Sequence, residues 1–173
     1  MANKEALREL QSRLAERLQR ARSQERSANW LAVESGGYGF LLPLAESGEI
    51  FPWGAVAPVP HTHGWFIGVA NLRGRLHGVV DLAGFLGLPS ADPQRSPVRL
   101  IAFNPSLETN AALLVERLAG LRSEEQLTRV TDADGQPRPA FAGARFKDAQ
   151  GRVWQELLLG TLSTDPAFLR IAQ

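Results

Sequence analysis

The chain has 173 residues, a length suited to one ordinary domain or to two small subdomains sharing an interface. Apolar residues make up 44% and charged residues 21%, a globular composition that excludes wholesale disorder. Nineteen basic against eighteen acidic residues leave a net charge of +1, too balanced to argue for a nucleic-acid partner or an anionic membrane surface, and the lack of cysteine removes disulfides, thiolate metal sites and cysteine nucleophiles.

Residues 3 to about 27 predict a helix. Leu7, Leu10, Leu14, Leu18 and Ala21 fall at spacings of 3, 4, 4 and 3, which places them on one stripe. Glu9–Arg13 and Glu16–Arg20 are i,i+4 pairs in the favourable order. The segment carries seven basic and four acidic residues, a net of +3, so the remainder stands at −2. Such a helix lies on its own domain, docks on a partner or pairs with its own copy. Charged throughout, it lacks a signal peptide's apolar core, and no apolar run approaches the ~20 residues that cross a bilayer. The expectation is a soluble, cytoplasmic protein with no direct membrane insertion.

From Trp30 the pattern changes to short apolar runs separated by Gly, Pro, Asn and Asp. W-L-A-V, Y-G-F-L-L-P-L and E-S-G-E-I-F read as antiparallel strands of a barrel or sandwich, with Gly36-Gly37 as a hairpin turn. The proline-rich run P-W-G-A-V-A-P-V-P-H-T-H-G cannot be a central strand and predicts an edge or crossover. F-I-G-V-A-N-L and L-H-G-V-V-D-L then form two strands around Arg73-Gly74-Arg75, where Gly74 supplies a positive φ. Leu82 to Leu86 predicts a helical turn ending at Gly87, and residues 89 to 97 form a Pro-, Ser- and Asp-rich linker.

Beyond the linker, V-R-L-I-A-F is a strand, whereas the leucine pattern of A-A-L-L-V-E-R-L-A-G-L suits a helix by itself. Residues 131 to 139 read as a polar loop, followed by a hairpin turning near Asp148 to Gly151 and a short closing helix opened by Thr164-Asp165-Pro166. The two halves echo each other: Phe-x-Gly precedes, and Gly-Arg-apolar follows, both the 66–82 and the 141–159 hairpins. That repetition favours two similar subdomains over one sheet. The start at Met1 and the closing helix give the expectation of a complete protein.

Little in the chain points to catalysis. The glycines of residues 68 to 78 lack a Gly-Lys-Ser/Thr and lead from strand to strand, not into a helix N-terminus, so they do not form a phosphate cradle. No G-x-S-x-G elbow is present. His61 and His63 would share one face of an extended segment, and His77 or Asp81 would complete a metal set; the alternative is two solvent-facing histidines in a turn. Asp81 itself suits an N-cap-like role for the turn that follows. Arg73 and Arg75 are either solvated turn residues or guanidinium groups held out for a partner.

Val59-Pro60, then G-V-A-N-L-R-G at 68–74, then Val79-Val80-Asp81-Leu82 closely resembles the signature of the CheW-like family, with Tyr38-Gly39-Phe40 and Glu49-Ile50 also in register. The resemblance is specific over residues 30 to 89 and weaker from 98 to 171. The leading helix and Asp165-Pro166-x-Phe168-Leu169 resemble the twitching-motility (PilI-type) branch.

The resemblance implies a mainly β fold of two SH3-like five-stranded barrels, about 30–89 and 98–171, within a domain spanning 28–173. It implies strand at 111 to 119. In function it implies a non-catalytic adaptor without a cofactor, which joins the regulatory domain of a CheA-type histidine kinase to the cytoplasmic tip of a methyl-accepting chemoreceptor in membrane-associated arrays. Carried over by position, Asn71, Leu72, Arg73 and Gly74 form the coupling segment, backed by Val69, Val79 and Val80. One departure is Gly78 where many relatives carry proline; glycine restores an amide donor. The rival reading is a small β-barrel enzyme or metal- or ligand-binding protein using His61, His63, His77 and Asp81.

Overall fold

The computed structural model describes residues 2–131 and 135–173, so the expected polar loop lies partly, at 132–134, outside the described residues. The helix α1 (Ala2–Ser27) leads the chain. Its leucine stripe does not lie on the domain: Leu7, Leu10, Leu14 and Leu18 are 52–60% exposed.

Strands β1 (Trp30–Ser35) and β2 (Tyr38–Pro43) form the first hairpin. Ser35 faces Tyr38 across Gly36-Gly37, and both glycines have positive φ (58° and 81°), as a two-residue turn matching strand twist requires. After β3 (Ser47–Pro52) the proline-rich segment crosses over, touching β4 (Phe66–Leu72) through reciprocal Ala57–Val69 backbone bonds of 2.8 and 2.9 Å. Next come β5 (Arg75–Asp81), the single-turn helix α2 (Leu82–Phe85) and, past the linker, β6 (Arg99–Phe103).

Residues 111–122 form two strands, β7 (Ala111–Val115) and β8 (Arg117–Arg122), against their helical leucine spacing. All five side chains of β7 are buried, so periodicity carries no information there. The chain closes with β9 (Thr128–Val130), β10 (Ala142–Lys147), β11 (Val153–Leu157) and the short helices α3 (Leu159–Leu162) and α4 (Pro166–Leu169). Asp165 caps α4 by accepting from the amides of Ala167 (2.8 Å) and Phe168 (3.2 Å).

One sheet has the order β8-β1-β2-β11-β10-β9 and the other β3-β6-β7-β5-β4. The fold is thus mainly β with two sheets, a leading helix and short closing helices. The expected halves at about 30–89 and 98–171 are not how the sheets are composed. β1 and β2 pair with β8 and β11 from the far end of the chain, while β6 and β7 join the strands before the linker. The three-residue β9 also gives one sheet six strands instead of five.

Both faces of each sheet are covered. Leu31, Val33, Phe40 and Leu157 of the first sheet meet Val80, Ile101, Leu113 and Val115 of the second in a shared core. The alternate residues Trp30, Ala32, Leu41 and Trp154 form a separate core behind the first sheet. Ala70, Leu72, Val79, Leu100 and Leu114 form another behind the second. Burial on both faces explains why W-L-A-V, L-I-A-F and A-A-L-L-V are unbroken apolar runs and do not alternate.

Candidate partner-binding site

Leu72 pairs with Arg75, so the β4–β5 turn consists of Arg73 and Gly74 alone. Both have positive φ, 51° and 80°, the pairing that lets a two-residue turn follow strand twist. Asn71 closes the turn from below, its Oδ1 accepting the Gly74 amide at 2.7 Å. A left-handed arginine is costly, on the order of 1–2 kcal/mol. It is held there by the ladder on both sides and by the Asn71 bond.

The side chain of Arg73 reaches across the second sheet. Its Nη2 lies 2.7 Å from Glu49 Oε1 on β3, although β3 and β4 are the two edges of that sheet. The sheet is therefore rolled so that its edges approach. Both partners are open to water, with side-chain exposures of 75% and 44%, so the pair is worth only ~0–1 kcal/mol to stability. It brings the guanidinium over the β3 edge of the sheet.

A cleft of about 160 Å³ lies beside this pair, lined by Phe51, Arg75, His77, Phe103 and Thr109 among others. Pockets for drug-sized ligands typically measure about 300–1,000 Å³, so the cleft is smaller than those. His77 is buried and places Nδ1 3.1 Å from the Arg75 carbonyl, which accepts from the ring.

The predicted site residues divide by exposure. Asn71, Arg73 and Gly74 face solvent; Leu72 is buried under the turn, and Val69 is half-buried. Val79 and Val80 are buried on opposite faces of β5, in different cores, so they shape the support and do not reach the surface. Exposed Arg75, which lines the same cleft, and Glu49, the partner of Arg73, belong to the same surface, whereas exposed Leu76 points to the opposite face of β5. Sequence alone places Glu49 in a motif without showing that a residue 24 positions away contacts the turn.

The rival set is not brought together. His61 has φ 59°, His63 stacks on Trp65 (centroids 5.4 Å apart), and His77 belongs to the cleft. Among the described residues no group of three His, Asp or Glu is arranged to hold a metal ion. Asp81 occupies the N-cap position of α2 yet makes no capping hydrogen bond. Its carboxylate instead lies over Gly84, where a Cβ would stand 2.8 Å from Oδ2. Gly78 does use the amide that proline would lack, donating to the Asn110 carbonyl at 2.9 Å.

Residues 29–165 match the family described as the CheW-like domain. Protein PilI of Pseudomonas aeruginosa is 34% identical over 101 residues, covering 57% of this chain and 56% of that protein. Chemotaxis protein CheW of Rhizobium meliloti is 30% identical over 112 residues, covering 65% and 67%. The chain thus spans little more than half the length of the first relative and two thirds of the second. Among solved structures, the scaffolding protein TtCheW of Thermoanaerobacter tengcongensis superimposes with a TM-score of 0.60 at 20% identity, covering 76% of this chain and 88% of that one. At that identity the likeness concerns the fold.

Proposed function

The chain belongs to the CheW-like domain family, and from that premise we propose that it is a non-catalytic cytoplasmic adaptor. In this reading it couples a chemoreceptor's cytoplasmic tip to the regulatory domain of a CheA-type kinase in a signalling array for type IV pilus twitching motility. The similarity to PilI supports the twitching-motility setting. Among the described residues, no helix is long and apolar enough to cross a membrane.

The observation that carries the reading is Arg73. An exposed guanidinium on a two-residue turn, paired with Glu49 beside a small cleft, offers charge and directional hydrogen bonds that another macromolecule can read. No chemical step is required. The adaptor supplies contacts that differ between kinase states and shifts their populations, and individually weak contacts become effective through repetition.

Receptor-coupled kinase activity in a reconstituted array tests this. Arg73→Glu lowers coupling at least tenfold while circular dichroism stays unchanged. The double swap Arg73→Glu with Glu49→Arg restores the internal ion pair but not coupling, because the partner meets the wrong charge. Unchanged coupling in the single variant, or full recovery in the double, removes Arg73 from the interface.

A further inference from the structure

Every described side chain of α1, from Lys4 to Ser23, is exposed, including four leucines more than half open to water. An apolar stripe of this kind is stable in solution only when something covers it. The charges around it identify the covering surface. At 3.6 residues per turn and centred on Leu14, the stripe of Leu7, Leu10, Leu14, Leu18 and Ala21 stays within about 40° of its axis. Lys4, Arg8, Arg13, Arg17, Arg20 and Arg22 all fall between about 60° and 120° from that axis, on both flanks. Glu5, Glu9 and Glu16 all lie beyond about 140°, on the back of the helix. Glu9 and Glu16 bind Arg13 and Arg20 from that side, at 2.6 and 3.5 Å.

We propose that the leucine stripe of α1 docks a partner helix whose own apolar seam is flanked by aspartate or glutamate. A second copy of this chain fits poorly, because in either orientation basic flanks would face basic flanks. The stripe is also narrow, the width of a coiled-coil seam, and it contains no Trp or Phe, whereas helices lying in lipid present a wider face with aromatic anchors. The 3-4-4 spacing repeats after 11 residues, from Leu7 to Leu18, and an 11-residue repeat keeps its seam on a partner helix through a right-handed supercoil. The flanks then choose the partner by charge, as flanking positions do in coiled coils. This surface is separate from Arg73 and stands whether or not that residue contacts a receptor.

Fluorescence anisotropy with the full chain supplies the test. The probe is a labelled synthetic amphipathic helix carrying the same leucine spacing and flanking glutamates, compared with a twin carrying lysines. The glutamate peptide binds at least tenfold more tightly, and Leu14→Asp abolishes that advantage without moving the unfolding midpoint of the domain. Reversing Arg13, Arg17 and Arg20 to glutamate inverts the preference. Equal binding of the two peptides, or binding of neither, overturns the proposal. So does a Leu14-dependent dimer in sedimentation, or Leu14-dependent pelleting with phosphatidylserine-containing vesicles when the glutamate peptide fails to bind.

Discussion

At the scale of single residues, Arg73 places a side chain where the backbone resists it. With φ at 51° it occupies a region that asparagine enters readily and most residues do not. Substituting alanine or asparagine removes the guanidinium, and with it the Glu49 pair, in both cases. The two variants therefore differ only in their fitness for the turn. Arg73→Asn is expected to be more stable than Arg73→Ala by about 1 kcal/mol, with equally low coupling. Urea titration compares the stabilities; equal midpoints would mean that the turn relaxes and stores no strain. The turn was legible in the sequence because Asn, Arg and Gly state its chemistry within four residues. The ion pair of Arg73 was not, since it depends on an acid brought close by the rolling of a sheet.

At the scale of elements, the first sheet is fastened by a charge cluster that no local pattern announces. Glu34 on β1 accepts from Arg117 on β8 at 2.7 and 2.6 Å, and also from Arg152, ahead of β11. Arg152 in turn stacks on Trp154, 4.6 Å from the ring centroid, and the Trp154 indole donates to Asp148 at 2.9 Å. Burial raises the Glu34 carboxyl, but the hydrogen bonds and charges of Arg117 and Arg152 outweigh it and hold the group below the usual carboxylate range. The indole of Trp154 holds Asp148 low in the same way. A carboxyl with a depressed folded pKa stabilises the fold fully above its unfolded pKa and loses that contribution as pH falls through the folded value. The first sheet should therefore weaken from about pH 4.5 downward. Glu34→Gln lowers stability at neutral pH and flattens the acid limb. Denaturation midpoints at pH 7, 5 and 3 check this, and an acid limb as steep as wild type would exonerate Glu34. Strand existence was legible from the apolar runs. The pairing was not, because Trp154 of β11 lies opposite Gly39 of β2, 115 positions away. Gly39 marks that contact in retrospect: a Cβ there would stand 2.6 Å from the Trp154 ring.

At the scale of the whole molecule, the echo between halves has a structural counterpart. Each echoing hairpin is followed by a short helix, and each last strand lies parallel to a strand from elsewhere, β5 to β7 and β11 to β2. Because these partners are exchanged across the linker, cutting there would separate neither sheet intact. The shared core adds a second coupling, and Phe168 of α4 is central to it. Phe168 is buried against Phe85 and Phe103, with centroids 5.4 and 5.8 Å away. Beyond it, the tail binds the crossover: His63 donates to Ile171 at 2.9 Å and Gln173 to His61 at 3.1 Å. Phe168→Ala should cost about 3–5 kcal/mol, as other buried aromatic truncations do. More informative is where the loss is felt. Trp30 and Trp154 report on the first sheet, while Trp53 packs in the core behind the second. If interleaved strands and a shared core make one cooperative unit, single-tryptophan variants will all report the same lowered denaturant midpoint. Two midpoints, with only the second sheet shifted by Phe168→Ala, would show that the sheets fold independently despite their exchanged strands.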